Sequence, residues 1–260
     1  MQQPLAGEVA IITGASSGIG AATARELAQQ GARVVLAARR EDELQARVLE
    51  IKNQGGEALA VPTDVTNPDD LARLVEQTIA AFGRVDILVN NAGIGLGKPF
   101  AKVSSVEIRR IVDVNLLSAM LLSQAVLPGM LERRHGRIIS VASVSGSIAT
   151  DALYSSTKFG LRGFGLGLNR ELWGSGVTVS LVSPGFIRTD MTGNRAGLPG
   201  PDVVARAVAR LAKHPRREVI VPRFFYVPFV YHLGIFLEQL APWIIDLAYS
   251  RRRRRPARQP

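Results

Sequence analysis

Tyr154 and Lys158 stand four residues apart, in the sequence Tyr-Ser-Ser-Thr-Lys at the start of a predicted helix. This spacing places both side chains on one face of the helix. A tyrosine, with a pKa of ~10, is a poor base at neutral pH. A neighbouring ammonium favours the phenolate and lowers that pKa, so the pair could exchange a proton with an alcohol or a carbonyl.

Ser143 offers a second hydroxyl for the same chemistry. It follows the predicted strand Arg137–Val141. The carboxyl ends of parallel strands are where α/β proteins bind their ligands. There the Ser143 hydroxyl could hold a substrate oxygen against Tyr154.

A glycine-rich loop, Thr-Gly-Ala-Ser-Ser-Gly-Ile-Gly at residues 13–20, joins the first predicted strand to a helix. Glycines let the backbone turn tightly and approach a pyrophosphate, which the amides at the start of the helix can bind. The spacing G-x-x-x-G-x-G is a variant of the commoner dinucleotide motif. It predicts a cofactor site formed by Gly14, Ser16, Ser17, Gly18, Ile19 and Gly20.

The same loop also fits a serine-hydrolase pattern, because residues 14–18 read G-x-S-x-G. That motif normally follows several strands, whereas this loop follows the first. His135, His214 and His232 lie in no segment that obviously reaches the loop. Hydrolase chemistry is therefore the third alternative.

The second predicted strand ends in Ala-Ala-Arg-Arg, without the carboxylate that would select NAD by binding the adenosine ribose. Arginine makes charge-assisted contacts that suit a 2′-phosphate. We therefore expect NADP(H), with Arg39 as the principal contact and Arg40 as a further one. The alternative is that both arginines are solvated residues at the start of a helix.

Short apolar runs alternate with helical stretches as far as residue 221. The predicted strands are Val9–Thr13, Arg33–Ala38, Ala58–Pro62, Ile87–Asn90, Arg137–Val141, Val177–Val182 and Glu218–Val221. The predicted helices include Gly20–Gln30, Asp42–Gln54, Leu71–Phe82, Val106–Arg133 and Tyr154–Glu171. This alternation predicts a single doubly wound, Rossmann-type α/β domain with a seven-stranded parallel sheet flanked by helices.

Composition narrows the class of protein. A chain of 260 residues with 47% hydrophobic residues can bury a large core. It has no cysteine, which excludes disulfides and thiolate-bound metals, and we expect no metal site. Six arginines at 251–260 account for most of the net charge of +10 and leave +4 for the rest, so nucleic acid is not an expected partner. The first residues have no secretory signal pattern, which predicts a cytoplasmic protein.

Residues 224–250 form an apolar segment that is predicted to be a helical extension of the 1–223 domain, followed by a basic, disordered tail at 251–260. Its first run, 224–237, is too short to span a bilayer. The extension could cover an apolar substrate pocket or enter a subunit interface. Alternatively, residues 224–255 could bind the anionic inner face of a membrane. A core-packed helix with a solvated tail is an equal alternative.

The motifs, taken in order, resemble the short-chain dehydrogenase/reductase family over about residues 7–221. The resemblance rests on the 13–20 loop, Asp64-Val65, Asn90-Asn91-Ala92-Gly93, Asn115, Ser143, Tyr154, Lys158, and Pro184-Gly185 with Thr189. Each motif alone is weak, whereas the ordered set is specific. It implies hydride transfer between NADP(H) and a carbonyl or secondary alcohol. The apolar extension suggests that the substrate is apolar.

The resemblance also implies residue roles. Tyr154 would be the general acid/base and Ser143 would orient and polarise the substrate oxygen. Lys158 would lower the pKa of Tyr154 and bind the nicotinamide ribose, and Asn115 would support a proton-relay water. Asp64 and Val65 would contact the adenine. Asn91, Ala92 and Gly93 would line the cofactor cleft. The nicotinamide contacts would come from Pro184, Gly185, Ile187 and Thr189.

Two stretches depart from the family pattern. The segment from Ser143 to Tyr154 is shorter than usual, so Ser145 remains an alternative to Ser143. Residues 188–200, where the family keeps its mobile substrate lid, reveal little about the substrate. The family also implies a homodimer or homotetramer, through the helices predicted at Val106–Arg133 and Tyr154–Glu171. A non-catalytic nucleotide-binding protein for regulation or assembly is the second interpretation, and the complete set of catalytic residues argues against it.

Overall fold

The computed structural model of the protein describes residues 3–193 and 195–222, together with Leu233 and Phe236. Its strands are β1 (Val9–Thr13), β2 (Arg33–Ala38), β3 (Ala58–Pro62), β4 (Ile87–Asn90), β5 (Gly136–Val141), β6 (Val177–Pro184) and β7 (Glu218–Val221). Its helices are α1 (Gly18–Gln29), α2 (Glu41–Asn53), α3 (Pro68–Phe82), α4 (Ser105–Val112), α5 (Ser118–Glu132), α6 (Ala152–Glu171) and α7 (Asp202–Lys213). Apart from Leu233 and Phe236, the predicted extension and basic tail lie outside the described residues.

The seven strands form one parallel sheet in the order β3-β2-β1-β4-β5-β6-β7. Every residue of β1 and β4 is buried, as expected for strands covered by helices on both faces. Ile12 and Val34 belong to one core cluster, and their neighbours Ile11 and Val35 belong to the other. Since alternate residues of a strand point to opposite faces, the sheet separates two cores. These findings confirm the predicted doubly wound fold.

The winding of the chain reverses between β1 and β4, because β1 pairs with β2 on one side and with β4 on the other. A crevice forms at the carboxyl ends of the strands at such a switch point. β1 leads directly into the glycine loop, β2 into Arg39 and β4 into Asn91. The topology therefore brings the predicted nucleotide-binding segments to one edge of the sheet.

The helix predicted over Val106–Arg133 is interrupted. A π-helical turn, Asp113–Leu117, separates α4 from α5. Within the described residues, Ser105–Glu132 is the one helical run long and apolar enough to cross a membrane. However, Leu122 and Met130 are buried in the core below the sheet, so in this fold the run packs as a core helix.

An ion-pair network lies at the amino ends of the strands, away from the crevice. Arg137 Nη1 donates to Glu8 Oε2 at 3.1 Å, and His135 Nε2 lies 3.0 Å from Glu8 Oε1. Asp86 is fully buried and accepts a 2.7 Å hydrogen bond from Arg84 Nε. The donor atoms of Glu8, Asp86 and His135 lie within 4.8 Å of one another, as metal ligands would. Here the guanidinium groups of Arg84 and Arg137 already compensate the two carboxylates.

Candidate active site

A cavity of about 560 Å³ opens at the carboxyl ends of the strands around the switch point. Nine of the nineteen residues predicted to bind the cofactor line it, namely Gly14, Ser16, Ser17, Arg39, Arg40, Asp64, Val65, Ala92 and Gly93. Helix α4 supplies part of the wall through Val106, Arg109 and Arg110. This contribution could not be predicted from the sequence, because a long loop separates α4 from β4 and the distance between α4 and β2 depends on the tertiary fold.

The glycine loop is shaped for the close approach of phosphates. Gly14 and Gly18 have φ angles of +66° and +55°, which favour glycine. A Cβ on Gly20 would collide with the carbonyl oxygen of Gly14, so α1 packs against the loop only without a side chain there. Ser17 caps α1 without a side-chain hydrogen bond, and the first turn has no acidic residue. The amides at this helix end therefore fit a pyrophosphate.

Hydrogen bonds cross the switch point from β1 to the segment after β4. Thr13 Oγ1 accepts from the backbone amides of Asn91 and Ala92, each at 3.0 Å. Asn91 Nδ2 donates to the Thr13 carbonyl at 2.8 Å and to the Gly14 carbonyl at 3.3 Å. Asn91 thus holds the two sides of the cleft together, and buried Thr13 is a supporting residue that the motif comparison missed.

The two arginines after β2 have different environments. Arg40 Nη2 donates to Ser16 Oγ at 3.0 Å and to Ser17 Oγ at 3.2 Å, and Nη1 forms a 2.6 Å ion pair with Glu43. Arg39 lines the same cavity but forms no side-chain hydrogen bond or ion pair with any of the described residues. The structure therefore joins Arg40, rather than Arg39, directly to the glycine loop.

Asp64 lies on the wall beyond β3. Its carboxylate accepts from the Thr66 amide at 2.9 Å and from the Thr66 hydroxyl at 2.8 Å. Burial opposes ionisation of Asp64, but these hydrogen bonds and the charges of Arg39 and Arg110 outweigh it and hold the pKa below its ordinary value. Asp64 therefore remains an anion at neutral pH.

The hydrolase interpretation requires a base beside Ser16. The Ser16 hydroxyl instead accepts a hydrogen bond from Arg40, and a guanidinium cannot serve as a base in a protein. His135 is engaged with Glu8 at the opposite end of the sheet. Among the described residues, Arg40 is the hydrogen-bond partner of the Ser16 hydroxyl, and no base is bonded to it there.

Ser143 and Tyr154 meet at the end of β5. The Ser143 hydroxyl lies close enough to that of Tyr154 to act on its pKa as a hydrogen-bonding group. Ser143 is buried and Tyr154 is half-buried. Ser145 is also buried, but its hydroxyl lies 3.0 Å from Thr150 Oγ1. Asp151 caps α6 by accepting from the Tyr154 amide at 2.7 Å, which fixes the turn that carries the tyrosine. Of the two candidate serines, Ser143 is the one paired with Tyr154.

Lys158 lies beneath the tyrosine and is fully enclosed. Its Nζ donates to the Val141 carbonyl at 2.9 Å and lies 5.7 Å from the centroid of the Tyr154 ring. Burial lowers the pKa of Lys158 to about 8.

The predicted direction of the tyrosine pKa is wrong for this structure. Burial raises the pKa of Tyr154, the negative charge of Asp151 raises it further, and the hydrogen bond with Ser143 opposes them only in part. Lys158 is not among the groups that shift the pKa of Tyr154, and its ammonium donates to the Val141 carbonyl. In this state of the protein the phenol is held protonated.

Asn115 occupies the π-helical turn and is buried. Its Oδ1 accepts from the Ile94 amide at 2.8 Å, and its Nδ2 donates to the Ile94 carbonyl at 2.9 Å and to Thr157 Oγ1 at 3.1 Å. A Cβ built on Gly93 would lie 3.6 Å from both Asn115 Oδ1 and Lys158 Nζ, so these three predicted residues converge. Thr157 was missed because a threonine beside Lys158 gives no signal of its own.

The segment after β6 forms the remaining side of the cleft. Pro184 ends the strand, and the Gly185 amide donates to the Val221 carbonyl at 2.8 Å. Ile187 is buried, and the Thr189 methyl group would lie 3.5 Å from a Cβ on Gly18. Thr189 therefore faces the glycine loop. The two ends of the 188–200 stretch are joined by the amide of Arg188 and the carbonyl of Pro199, at 2.8 Å.

Comparisons with known proteins agree with this geometry. The model of the family described as short chain dehydrogenase matches residues 8–197. The ketoacyl reductase HetN of Nostoc sp. is 38% identical over 255 residues, which cover 94% of this chain and 89% of that protein. The 3-oxoacyl-[acyl-carrier-protein] reductase FabG of Escherichia coli (strain K12) is 41% identical over 222 residues, which cover 79% of this chain and 90% of that protein.

A solved structure gives the same result. The crystal structure of a metagenomic short-chain oxidoreductase in complex with NADP has a TM-score of 0.76 and 40% identity, and the match covers 84% of this chain and 98% of that one. The doubly wound sheet and these matches identify an oxidoreductase. The chain belongs to the short-chain dehydrogenase family. The family predicted from the ordered motifs is thus confirmed, and the serine-hydrolase alternative is wrong.

Proposed function

We propose that the protein is an NADPH-dependent reductase of apolar carbonyl compounds, of the 3-oxoacyl type that the names of its relatives describe. The observation that carries the proposal is the position of Tyr154 over buried Lys158, whose Nζ lies 5.7 Å from the centre of the tyrosine ring. Ser143 acts on the same phenol. NADP(H) is supported by Arg39 and Arg40 in the cavity and by the NADP complex of the similar structure.

The residues of the site divide the work of a carbonyl reduction. When bound, NADPH supplies the hydride that is added to the carbonyl carbon. Ser143 and Tyr154 donate hydrogen bonds to the carbonyl oxygen and stabilise the negative charge that develops on it. Tyr154 then transfers its phenolic proton to that oxygen, which completes the alcohol. The raised pKa of Tyr154 suits this direction, because reduction needs the protonated phenol.

Lys158 and Asn115 assist the proton transfer from Tyr154. The ammonium of Lys158 stabilises the phenolate that remains and is the group expected to bind the nicotinamide ribose. Asn115 holds the Ile94 backbone beside it and is expected to support the proton-relay water. The reverse reaction, oxidation of a secondary alcohol, uses the same groups.

The cavity residues would hold the cofactor along the cleft. The glycine loop fits the pyrophosphate, and Arg40, already bound to Ser16 and Ser17, is positioned to bind the 2′-phosphate together with Arg39. Ile187 and Thr189 would contact the nicotinamide carboxamide. Proximity between the hydride donor and the carbonyl would supply a large part of the rate.

An apolar substrate is supported by the surface near this end of the cleft. Phe186 and Met191 are large apolar side chains on the segment that carries Ile187 and Thr189, and they are 64% and 55% exposed. Exposed apolar groups beside a ligand site favour an apolar ligand. An acyl chain of a 3-oxoacyl thioester is a substrate of this kind.

The non-catalytic alternative is disfavoured by the same geometry. A protein that only binds a nucleotide has no need of a tyrosine hydrogen-bonded to a serine, nor of a buried lysine beneath it, because a buried amine costs stability. Here Asn115, Ser143, Tyr154 and Lys158 are all assembled next to the cavity.

Two substitutions test the proposed chemistry. In Tyr154→Phe the proton donor is absent, so we expect kcat for NADPH-dependent reduction of a 3-oxoacyl thioester to fall at least about 10³-fold, with NADPH affinity retained. Ser143→Ala removes one hydrogen-bond donor to the oxyanion and should lower kcat by about 10²–10³-fold. Steady-state kinetics and fluorescence titration with NADPH provide the two readouts.

Ser145→Ala is the matched control, since Ser145 is equally buried but paired with Thr150. It should keep most of the activity. Full activity in Tyr154→Phe would refute the mechanism, and a larger loss in Ser145→Ala than in Ser143→Ala would exchange the roles of the two serines.

The pH dependence should report the titration of Lys158. Because its pKa is about 8 whereas that of Tyr154 is raised, the ammonium is lost before the phenol ionises as the pH rises. We expect kcat/KM for the reduction to fall above pH about 8, by up to tenfold per pH unit. In Lys158→Arg the charge persists to high pH, so this limb should disappear even if the overall rate is lower. A wild-type profile that is flat to pH 9.5 would contradict the assignment.

We also propose a homodimer or homotetramer built through α4 to α6. Leu117, Leu131 and Phe159 are large apolar side chains on this part of the chain and are 42%, 38% and 43% exposed. Burial in a subunit interface would remove them from water. A monomeric mass in analytical ultracentrifugation would contradict this assembly.

Finally, we propose that a cytoplasmic protein of this kind touches the inner face of a membrane through 224–255. The match to HetN covers 94% of the chain, so it extends beyond residue 222. In the sequence, aromatic and aliphatic residues lead directly into five arginines, a pattern suited to anionic lipid. Full-length protein should co-sediment with anionic liposomes and the 1–223 protein should not. Equal recovery of the two would refute the proposal and favour a pocket cover, a subunit contact or a packed helix.

A further inference from the structure

Two pairs of arginines face the nucleotide cavity from different elements. Arg39 and Arg40 follow β2, whereas Arg109 and Arg110 lie in the last turn of α4. All four line the same cavity of about 560 Å³ and all four are exposed. One 2′-phosphate and the first pair would account for nucleotide selection, so the second pair calls for a separate explanation.

The four side chains differ in their partners. Arg40 is bound to the glycine loop and to Glu43. Arg39, Arg109 and Arg110 form no side-chain hydrogen bond or ion pair within the part of the chain that the structure describes. Their guanidinium groups are therefore available to a ligand in the cavity.

Arg39 and Arg110 lie on a part of the cavity that Asp64 and Val65 also line. The positive charges of both arginines act on the Asp64 carboxylate, one from the end of β2 and one from α4. By the family resemblance, Asp64 and Val65 mark the place of the adenine.

A guanidinium is planar and stacks on aromatic faces, whereas an ammonium is a compact, strongly hydrated charge. The side chain of Arg110 can thus bind a nucleobase by its flat face without touching a phosphate. We propose that Arg110 is an adenine-binding residue, which closes the nucleobase site from α4 opposite Arg39 and strengthens binding of the dinucleotide irrespective of its 2′-phosphate. The proposal rests on the proposed NADP(H) site and assigns affinity to Arg110 and cofactor selection to Arg40.

Fluorescence titration of the full-length protein with NADPH and with NADH tests this assignment. Arg110→Gln should raise both dissociation constants by the same factor, about three- to tenfold, and leave their ratio unchanged. Arg110→Lys should behave like Arg110→Gln, because lysine keeps the charge but lacks the planar face. Arg40→Gln should instead weaken NADPH much more than NADH and bring their ratio towards one.

A matched control removes an arginine that lies away from the cavity. Arg206→Gln changes an exposed arginine on α7. It should leave the NADH dissociation constant within about twofold of the wild type. Circular dichroism of each variant shows whether the fold is retained.

The other outcomes overturn the proposal. Weaker binding of NADPH alone in Arg110→Gln would make Arg110 a phosphate contact. Recovery of affinity in Arg110→Lys would make it a source of charge without stacking, and unchanged affinity would make it a solvated residue. In all three cases the wild type still binds NADPH, whereas failure of the wild type to bind either dinucleotide would refute the proposed function itself.

Discussion

The close approach of Asn91 to the glycine loop is the contact on which the arrangement of the site depends. Its Nδ2 bonds the carbonyls of Thr13 and Gly14, and it would lie 2.6 Å from a Cβ on Gly20. Any side chain at Gly20 would therefore push the loop away from the segment after β4. Two residues further along that segment, Gly93 lies beside Asn115 and Lys158. The distance between the nucleotide end and the catalytic end of the cleft is thus fixed by backbone packing, which glycine alone permits at this separation.

Burial of Lys158 gives the catalytic group its electrostatic character. An enclosed ammonium is costly, and the Val141 carbonyl offers it a dipole but no countercharge. Tyr154 is the ionisable neighbour above it, yet burial and Asp151 hold that phenol protonated. A phenolate formed during proton transfer would pair with the ammonium. The two groups are therefore poorly solvated before the transfer and mutually stabilised after it, which lowers the energy of the charged state when it is needed.

The sequence predicts the strand bounds more completely than it predicts the details of the site. β1, β2 and β4 have the predicted bounds, because strands buried on both faces are continuous apolar runs that turn residues delimit. The edge strands β3 and β7 also have the predicted bounds, although they are only partly buried. β6 runs on to Pro184, where its pairing with β7 decides the end. The order of motifs located the glycine loop and the pairing of Ser143 with Tyr154. The pKa direction of Tyr154 and the position of Arg110 on the cavity wall could not be predicted, since both depend on burial and on neighbours from distant elements rather than on spacing.

The π-helical turn at Asp113–Leu117 could not be predicted from the periodicity of the apolar residues. The pattern of apolar residues from 106 to 133 fits a single helix, and the core contacts of Leu122 and Met130 are compatible with one. Asn115 instead uses its amide group to bond the Ile94 backbone on one side and Thr157 on the other. These tertiary bonds favour a wider turn at that point, which lets α4 present Arg110 to the nucleotide cavity while α5 continues along the core. The run 105–132 therefore contributes Arg110 to the nucleotide cavity and Asn115 to the group around Lys158. The π-helical turn between α4 and α5 lies between these two contributions and the core-packed α5.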